Sequence, residues 1–392
     1  MERNKTVILS YARTPFGSFL GKFSKLSASY IGAAAIKGAL NRADISFSDI
    51  DEVIMGNVLS AGIGQAPARQ AAIFAGLDKS THCMTINKVC GSGMKAIMLA
   101  DQSINLNQSN FIIAGGMESM SNSPHYLLNS RVGTKLGNIK QVDGMVHDGL
   151  WDIYNQVHMG IHGERCASKY NITREDQDEY AEMSYNRSQE AHNQNILANE
   201  ICEVIDQKGN LIDSSDEEPF RVDFEKMKKL KSVFQKEGTI TAANASTIND
   251  GAAVCLLSSE KKAHDAGYKA QARVLDYVQF SHDPEWFTTA PISAIKKLLD
   301  KNSLKIDDID IFEINEAFSV VPIVAIKELG LNIEKVNVHG GAVSLGHPIG
   351  CSGARIVMSL INALKVRNKK LGVASICIGG GEATAMLIEN IN

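Results

Sequence analysis

Ala35-Ile36-Lys37-Gly38-Ala39-Leu40, followed by Asp49-Ile50-Asp51, returns later as Ala294-Ile295-Lys296-Lys297-Leu298-Leu299, followed by Asp308-Ile309-Asp310, at an unchanged offset. Two further blocks behave alike. Cys90-Gly91-Ser92-Gly93-Met94-Lys95 is echoed by Gly350-Cys351-Ser352-Gly353-Ala354-Arg355, and Gly115-Gly116-Met117-Glu118 by Gly379-Gly380-Gly381-Glu382. Three echoes in one order make the chain two similar halves, and a repeat of this kind constrains the fold before any local pattern does.

Each half alternates short apolar runs with amphipathic stretches. Val7-Ile8-Leu9-Ser10-Tyr11 reads as a buried strand, Tyr30 to Leu40 as a helix and Val53-Ile54-Met55-Gly56 as a second strand. Val274 to Tyr277, Ser293 to Leu299 and Ile309 to Phe312 repeat that order. Strand–helix–strand alternation implies right-handed crossovers and a mainly parallel sheet covered by helices, so the fold class is α/β, with two sheets packed through shared helices. From about Ser121 to Ala245 the composition shifts to His, Asn, charge and helical periodicity, as an insertion would. The expected division is an N-terminal half over 1–120, completed by about 247–268, an inserted segment over 121–246, and a C-terminal half over 269–392.

The 392 residues, 44% hydrophobic and 21% charged, supply more than one core. A net charge of -4 with dispersed basic residues excludes a nucleic-acid partner. The start, Met1 to Thr6, shows no signal core, and no apolar run is expected to reach the roughly 18 residues of a membrane span. Seven irregularly spaced cysteines without C-x-x-C argue against a disulfide framework and a zinc site. The expected setting is therefore a reducing one, by default the cytoplasm, with no metal and no membrane partner.

Three segments carry chemistry. Asn87-Lys88-Val89-Cys90-Gly91-Ser92-Gly93 precedes the apolar periodic stretch Met94, Ala96, Ile97, Leu99, Ala100, which puts Cys90 at a helix N-terminus, where unpaired amides are expected to lower a thiol pKa. His347, between Gly346 and Pro348, has a constrained backbone suited to a catalytic imidazole, whereas His339 before its glycine pair also suits simple packing. Cys377 ends an apolar strand that runs into Gly379-Gly380-Gly381, whose amides can meet an oxyanion.

Together with Asn315-Glu316-Ala317-Phe318 and Gly340-Gly341-Ala342-Val343-Ser344-Leu345-Gly346-His347-Pro348-Ile349-Gly350, these motifs resemble the thiolases, from Arg13-Thr14-Pro15-Phe16-Gly17 to the C-terminus. The resemblance implies a five-layered αβαβα arrangement of duplicated βαβαβ halves, with the insertion as a CoA-binding cover. It implies that Cys90 carries the acyl group, that His347 activates it, and that Cys377 removes the α-proton of a second acetyl-CoA. The backbone N–H groups of Cys90 and Gly379 would hold one oxyanion, and His347 with a water on Asn315 would hold the enolate. Leu150, His158, Met159, Arg221, Phe234, Ala242, Ser246, Ala317 and Phe318 fall where the family contacts CoA or substrate.

The implied reaction joins two acetyl-CoA into acetoacetyl-CoA and CoA, or reverses this by thiolysis. No cofactor is implied, since the CoA thioesters are substrates, and the family forms homodimers and homotetramers. Arg131-Val132-Gly133-Thr134-Lys135 resembles part of the tetramer-type cover. His158-Met159-Gly160 points to the short-chain acetoacetyl-CoA type rather than the broad degradative type. A ketosynthase of the same fold would need a second histidine where Cys377 stands, and a silent acyl-CoA-binding protein would not need all four of Cys90, Asn315, His347 and Cys377. Ile161-His162-Gly163, Phe287-Thr288-Thr289-Ala290-Pro291 and Glu382 depart from the family pattern. Phe287, backed by Trp286, is expected to narrow the acyl pocket.

Overall fold

Successive side chains on a strand face opposite sides, and that alternation sorts this chain into three apolar layers. On β1 (Thr6–Arg13) Val7 and Leu9 join one layer and Ile8 another. The structure is a computed structural model that describes residues 5–206, 208–212 and 214–391; Met1 to Asn4, on which the reading of the N-terminus partly rests, lie outside the described residues. The first half continues through α1 (Ala28–Ala43), β2 (Glu52–Gly56), α2 (Pro67–Ala75), β3 (His82–Ile86), α3 (Ser92–Asn105) and β4 (Phe111–Ser119). A long excursion holds α4 (Met159–Tyr170) and α5 (Arg174–Asn193) before β5 (Asn249–Ser259) returns to the same sheet. The second half comprises β6 (Ala272–Ser281), α6 (Ala290–Lys301), β7 (Ile311–Ile314), α7 (Val320–Leu329), α8 (Ile349–Val366), β8 (Leu371–Ile378) and β9 (Glu382–Asn390).

The layers follow from which face each residue takes. Ile31, Ile36, Leu40 and Ala71 of α1 and α2 pack on Val53, Met55, Ile113 and Met117. Met94 and Ile97 of α3 and Val357 and Leu360 of α8 fill the middle, against Ile54 and Ile112 on one side and Ile376 and Ile388 on the other. Ile295, Leu298, Val321 and Val324 of α6 and α7 cover Phe312, Ile314, Val373 and Leu387. This is the expected αβαβα order of five layers.

Three expectations need correcting. The sheets are not separate: the strand order β7-β8-β9-β6-β1-β5-β4-β2-β3 is continuous, because Thr6, Val7 and Ile8 pair with Val274, Arg273 and Ala272. Nor is either half mainly parallel. Only β2 with β3, β2 with β4, and β7 with β8 run parallel, while β5 lies antiparallel to both β1 and β4. The reason is connectivity: the excursion lets β5 enter from the opposite end, and the Gly379–Gly381 turn folds β8 and β9 into a hairpin, with φ of 92° and 87° at Gly380 and Gly381. Finally, α8 is an 18-residue helix apolar enough to span a membrane, with a mean hydropathy of 1.3, yet 89% of it is buried inside the fold. A helix shared by two sheets is buried all round, and its polar residues Ser352, Arg355, Ser359 and Asn362 are buried with it.

The excursion is fastened to the core through Arg13. Its guanidinium is fully buried, donating to Glu200 at 2.9 Å and to both oxygens of Asp216 at 2.7 and 2.9 Å. His192 on α5 reaches the same carboxylate at 2.9 Å.

Candidate active site

The turn before α3 is held by its own polar groups. Asn87 Oδ1 accepts the Val89 N–H at 2.9 Å; Ser92 Oγ accepts the Lys88 N–H at 2.8 Å and donates to the Val89 carbonyl at 2.6 Å. These bonds keep Val89 at φ 45°, a left-handed conformation that costs a β-branched residue about 1–3 kcal/mol and that clusters at functional sites. Immediately beyond it stands Cys90. Gly93 and Gly353, the duplicated glycines, let α3 and α8 cross closely: a Cβ on Gly93 would lie 2.7 Å from the Ala354 nitrogen, and one on Gly353 2.5 Å from that of Met94. That approach brings the Cys90 turn to the start of α8, which His347 precedes.

Cys90 keeps partial exposure. Crowding of the thiol by surrounding protein pushes its pKa up to about 12, against the opposing effect of the Gly379 and Cys90 backbone N–H groups. The expected lowering at the helix N-terminus is thus overturned for the resting protein, because desolvation of a thiolate outweighs the amide dipoles. Alkylation by iodoacetamide should accordingly rise with pH throughout 6 to 9. A plateau below pH 8 in the Cys90 labelling rate, read by peptide mass spectrometry, would contradict this.

His347 is buried, its backbone N–H donating to Asn249 Oδ1 at 3.1 Å. Its Nδ1 lies 2.7 Å from Ser352 Oγ, and that hydroxyl donates to the Pro348 carbonyl at 2.9 Å. With its proton so committed, Ser352 accepts from Nδ1–H, which leaves Nε2 as the basic nitrogen. Nε2 is buried with no partner among the described residues. Burial, reinforced by Arg355, lowers the imidazole pKa to about 3, so it is neutral at physiological pH. His339 is also buried but is absent from the cavity described below.

Asn315 follows β7. Its Oδ1 accepts from Arg355 Nη2 at 3.3 Å, and its Nδ2 is buried without a partner among the described residues. Cys377, fully buried on β8, shares a core cluster with Cys166, Phe287 and Phe318. Burial raises its pKa well above the usual thiol range, Cys90 being close enough to add to the rise, while the Ala317 N–H opposes it. Gly379 directs its N–H at Cys90 and abuts Met159, whose Cε would lie 3.5 Å from an added Cβ.

A cavity of about 770 Å³ is lined by His347 together with Leu150, His158, Arg221, Phe234, Ala242, Ser246 and Phe318. His158 stacks on Phe234 at 4.8 Å, and Phe318 meets the same ring edge-on at 5.8 Å. Met159 lies elsewhere, lining a neighbouring space with Val89 and Gly379. Ala317 does not line the cavity; its carbonyl accepts from Ser246 Oγ at 2.9 Å. Arg221 is largely exposed and lies 3.7 Å from Glu218. Sequence reasoning missed Met120, Tyr185, Lys226, Met227 and Ile349 on the wall. The lysine-rich run from Lys226 to Lys231 was visible, but such runs mark solvated faces as readily as anion sites. Glu316 was missed too: it accepts from Tyr180, Ser184, Asn337 and the Val343 N–H at 2.9–3.0 Å, fixing the Asn315 loop to α5.

The departures from the family pattern are structurally absorbed. His162 Nε2 lies 2.5 Å from Asp152, and Phe287 packs edge-on to the His162 ring at 6.2 Å. Phe287 is buried but is absent from the wall of this cavity, and Trp286 turns to Lys169, whose ammonium sits 3.8 Å from the ring centroid. Phe287, expected to narrow the acyl pocket, is therefore not on this cavity wall; it packs in the core against the His162 ring. Glu382 pairs with Lys88, bridging the two glycine-rich turns.

Residues 6–261 match the thiolase N-terminal domain and residues 268–390 the thiolase C-terminal domain. The chain belongs to the thiolase family. Among thiolase relatives, the mitochondrial acetyl-CoA acetyltransferase A of Xenopus laevis is 52% identical over 392 residues, covering 99% of this chain and 92% of its own. A cytosolic acetyl-CoA acetyltransferase of Gibberella zeae is 47% identical, covering 98% of each. The crystal structure of the Acat5 thiolase of Ascaris suum in complex with coenzyme A superposes with a TM-score of 0.94 at 44% identity, covering 99% of this chain and 100% of that one. The family and its fold thus agree with what the motifs around Cys90, His347 and Cys377 implied.

Proposed function

We propose that this thiolase is an acetyl-CoA C-acetyltransferase acting through an acetyl-Cys90 intermediate. The observation that carries the reading is the unpartnered, buried Nε2 of a neutral His347, on the wall of a cavity shared with seven of the expected ligand-contact residues. The names of the full-length relatives support the acetyl-CoA substrate.

The resting thiols suit a cycle in which every proton is accounted for. His347 Nε2 takes the proton of Cys90, the thiolate attacks the thioester carbonyl, and the N–H groups of Cys90 and Gly379 hold the oxyanion. Cys377 protonates the departing CoA thiolate, leaving its own thiolate beside a cationic His347. Cys377 then removes the α-proton of the second acetyl-CoA, and the Nε2–H of His347 with a water held by Asn315 holds the enolate oxygen. The enolate carbon attacks acetyl-Cys90, and the released Cys90 thiolate recovers its proton from His347. Thiolysis is the reverse sequence. No cofactor enters these steps.

Acetoacetyl-CoA should be the preferred thiolysis substrate. The aromatic cluster of His158, Phe234 and Phe318, and the His162–Phe287 packing, must shift to admit further methylenes, and overpacking costs about 1–3 kcal/mol, or roughly 5- to 150-fold in kcat/KM. Equal or greater kcat/KM for 3-oxooctanoyl-CoA would make this a broad-chain degradative thiolase instead. Seven unpaired cysteines suit a reducing compartment, which we take to be the cytoplasm.

A homodimer or homotetramer is supported by two surfaces. β3 is an edge strand with Met84 exposed, next to exposed Ile73 and Phe74 on α2, and Leu127, Leu128, Val132, Leu136, Ile139 and Tyr154 expose an apolar face on the cover. Light scattering should give a multiple of 42.5 kDa; a monomer would contradict the assignment.

A further inference from the structure

The middle layer contains a charge pair that packing does not require. Arg355 on α8 is completely buried, and its Nη1 lies 3.6 Å from Glu313 Oε2, itself buried on β7. Neither Glu313 oxygen forms a hydrogen bond among the described residues, nor do Arg355 Nε and Nη1. Burial raises the Glu313 pKa and Arg355 opposes the rise, so the pair is strained electrostatically rather than well satisfied. Pairs of this kind are weak sources of stability and are often replaced by apolar residues without loss.

The duplication provides an internal control. The position matching Arg355 in the first half is Lys95, which is partly exposed, and the position matching Glu313 is Ile54, an apolar member of the middle layer. The fold thus tolerates an apolar residue and a surface cation here. The buried pair belongs to the half that supplies Asn315 and His347.

Its one hydrogen bond explains its place. On β7 Ile311 and Glu313 face the middle layer while Phe312 and Ile314 face outward, so Asn315, two residues beyond Glu313, comes to the same side as Arg355. Guanidinium has donors and no acceptor, so the amide atom meeting Arg355 Nη2 has to be Oδ1. The Nδ2 donor is therefore turned away from Arg355, where it stands buried and unpartnered. We propose that Arg355, anchored by Glu313, is a positioning residue that locks the Asn315 amide with its N–H donor turned to the water that meets the enolate oxygen. The inference rests on the acetyl-Cys90 reading above, and it assigns Arg355 to the enolate step and not to acylation.

The test separates those steps. In Arg355→Met/Glu313→Leu, which removes both buried charges, acetylation of Cys90 by acetyl-CoA should not fall, since losing the Arg355 charge leaves His347 only more basic, while kcat for condensation falls about 10²-fold, the scale of losing one aligned donor. Adding Asn315→Ala should then cost less than about threefold more, since both changes remove one interaction. Arg355→Lys provides a second route: a single ammonium lacks the planar fork that turns Nη1 to Glu313 and Nη2 to Asn315, so the same split of about tenfold or more is expected. Unchanged condensation in either folded variant, equal loss in both steps, or a multiplicative effect with Asn315→Ala would overturn the proposal. A parent protein that forms no acetyl-Cys90 would overturn the underlying reading instead.

Discussion

Cys90→Ala is expected to abolish both the covalent acetyl adduct and turnover, with a fall in kcat on the order of 10⁶-fold, the scale seen when a covalent nucleophile is removed. The geometry motivates the expectation. Cys90 is the partly exposed thiol at which the Gly379 N–H and its own N–H converge, at the end of a turn kept strained at Val89. Cys255, Cys351 and Cys377 are buried by comparison. Intact-mass and peptide analysis after incubation with acetyl-CoA should show one acetyl group on Cys90 in the parent and none in the variant. An acetyl group found on Cys377, Cys83 or Cys351 would mean the roles are wrongly assigned.

Cys377→Ala should separate the two halves of the reaction. Acetylation of Cys90 requires no α-proton removal, and the CoA thiolate is a stable leaving group even without its proton donor, so the adduct should still form. Condensation should fall about 10²- to 10⁴-fold, the usual contribution of a positioned acid–base group. The variant is structurally mild: Cys377 is completely buried, and alanine removes only the sulfur from an apolar cluster that includes Cys166, Phe287, Phe312 and Phe318. Normal condensation by Cys377→Ala would point to another base, or to the decarboxylating chemistry of a ketosynthase.

Much of this architecture was legible in the chain, because duplication writes the same constraint twice. The offset between Asp49-Ile50-Asp51 and Asp308-Ile309-Asp310 reappears as the equivalence of β2 and β7, and the paired Ser-Gly steps of α3 and α8 as the point where those helices touch. Strand direction was not legible. Whether β5 runs with or against β4 depends on where a 129-residue excursion re-enters the sheet, which no local periodicity encodes. The length of α8 was missed for a related reason: Ser352, Arg355, Ser359 and Asn362 interrupt its apolar run, and only the fold shows that they too are buried.

At the site, sequence alone determined which residue types stand at the turns: Cys90 after Val89, His347 between Gly346 and Pro348, Cys377 before three glycines, and Asn315 at a strand end. These are local matters of backbone freedom and side-chain chemistry. Their ionisation and orientation belonged to the tertiary structure. Burial raises Cys90 where the helix end alone suggested the opposite, Ser352 selects the His347 tautomer, and Arg355 turns the Asn315 amide. Each effect arises between groups distant in the chain or screened by its packing. Desolvation and hydrogen-bond direction are properties of a surrounding shell, and that shell exists only once the two halves have closed on the shared helices.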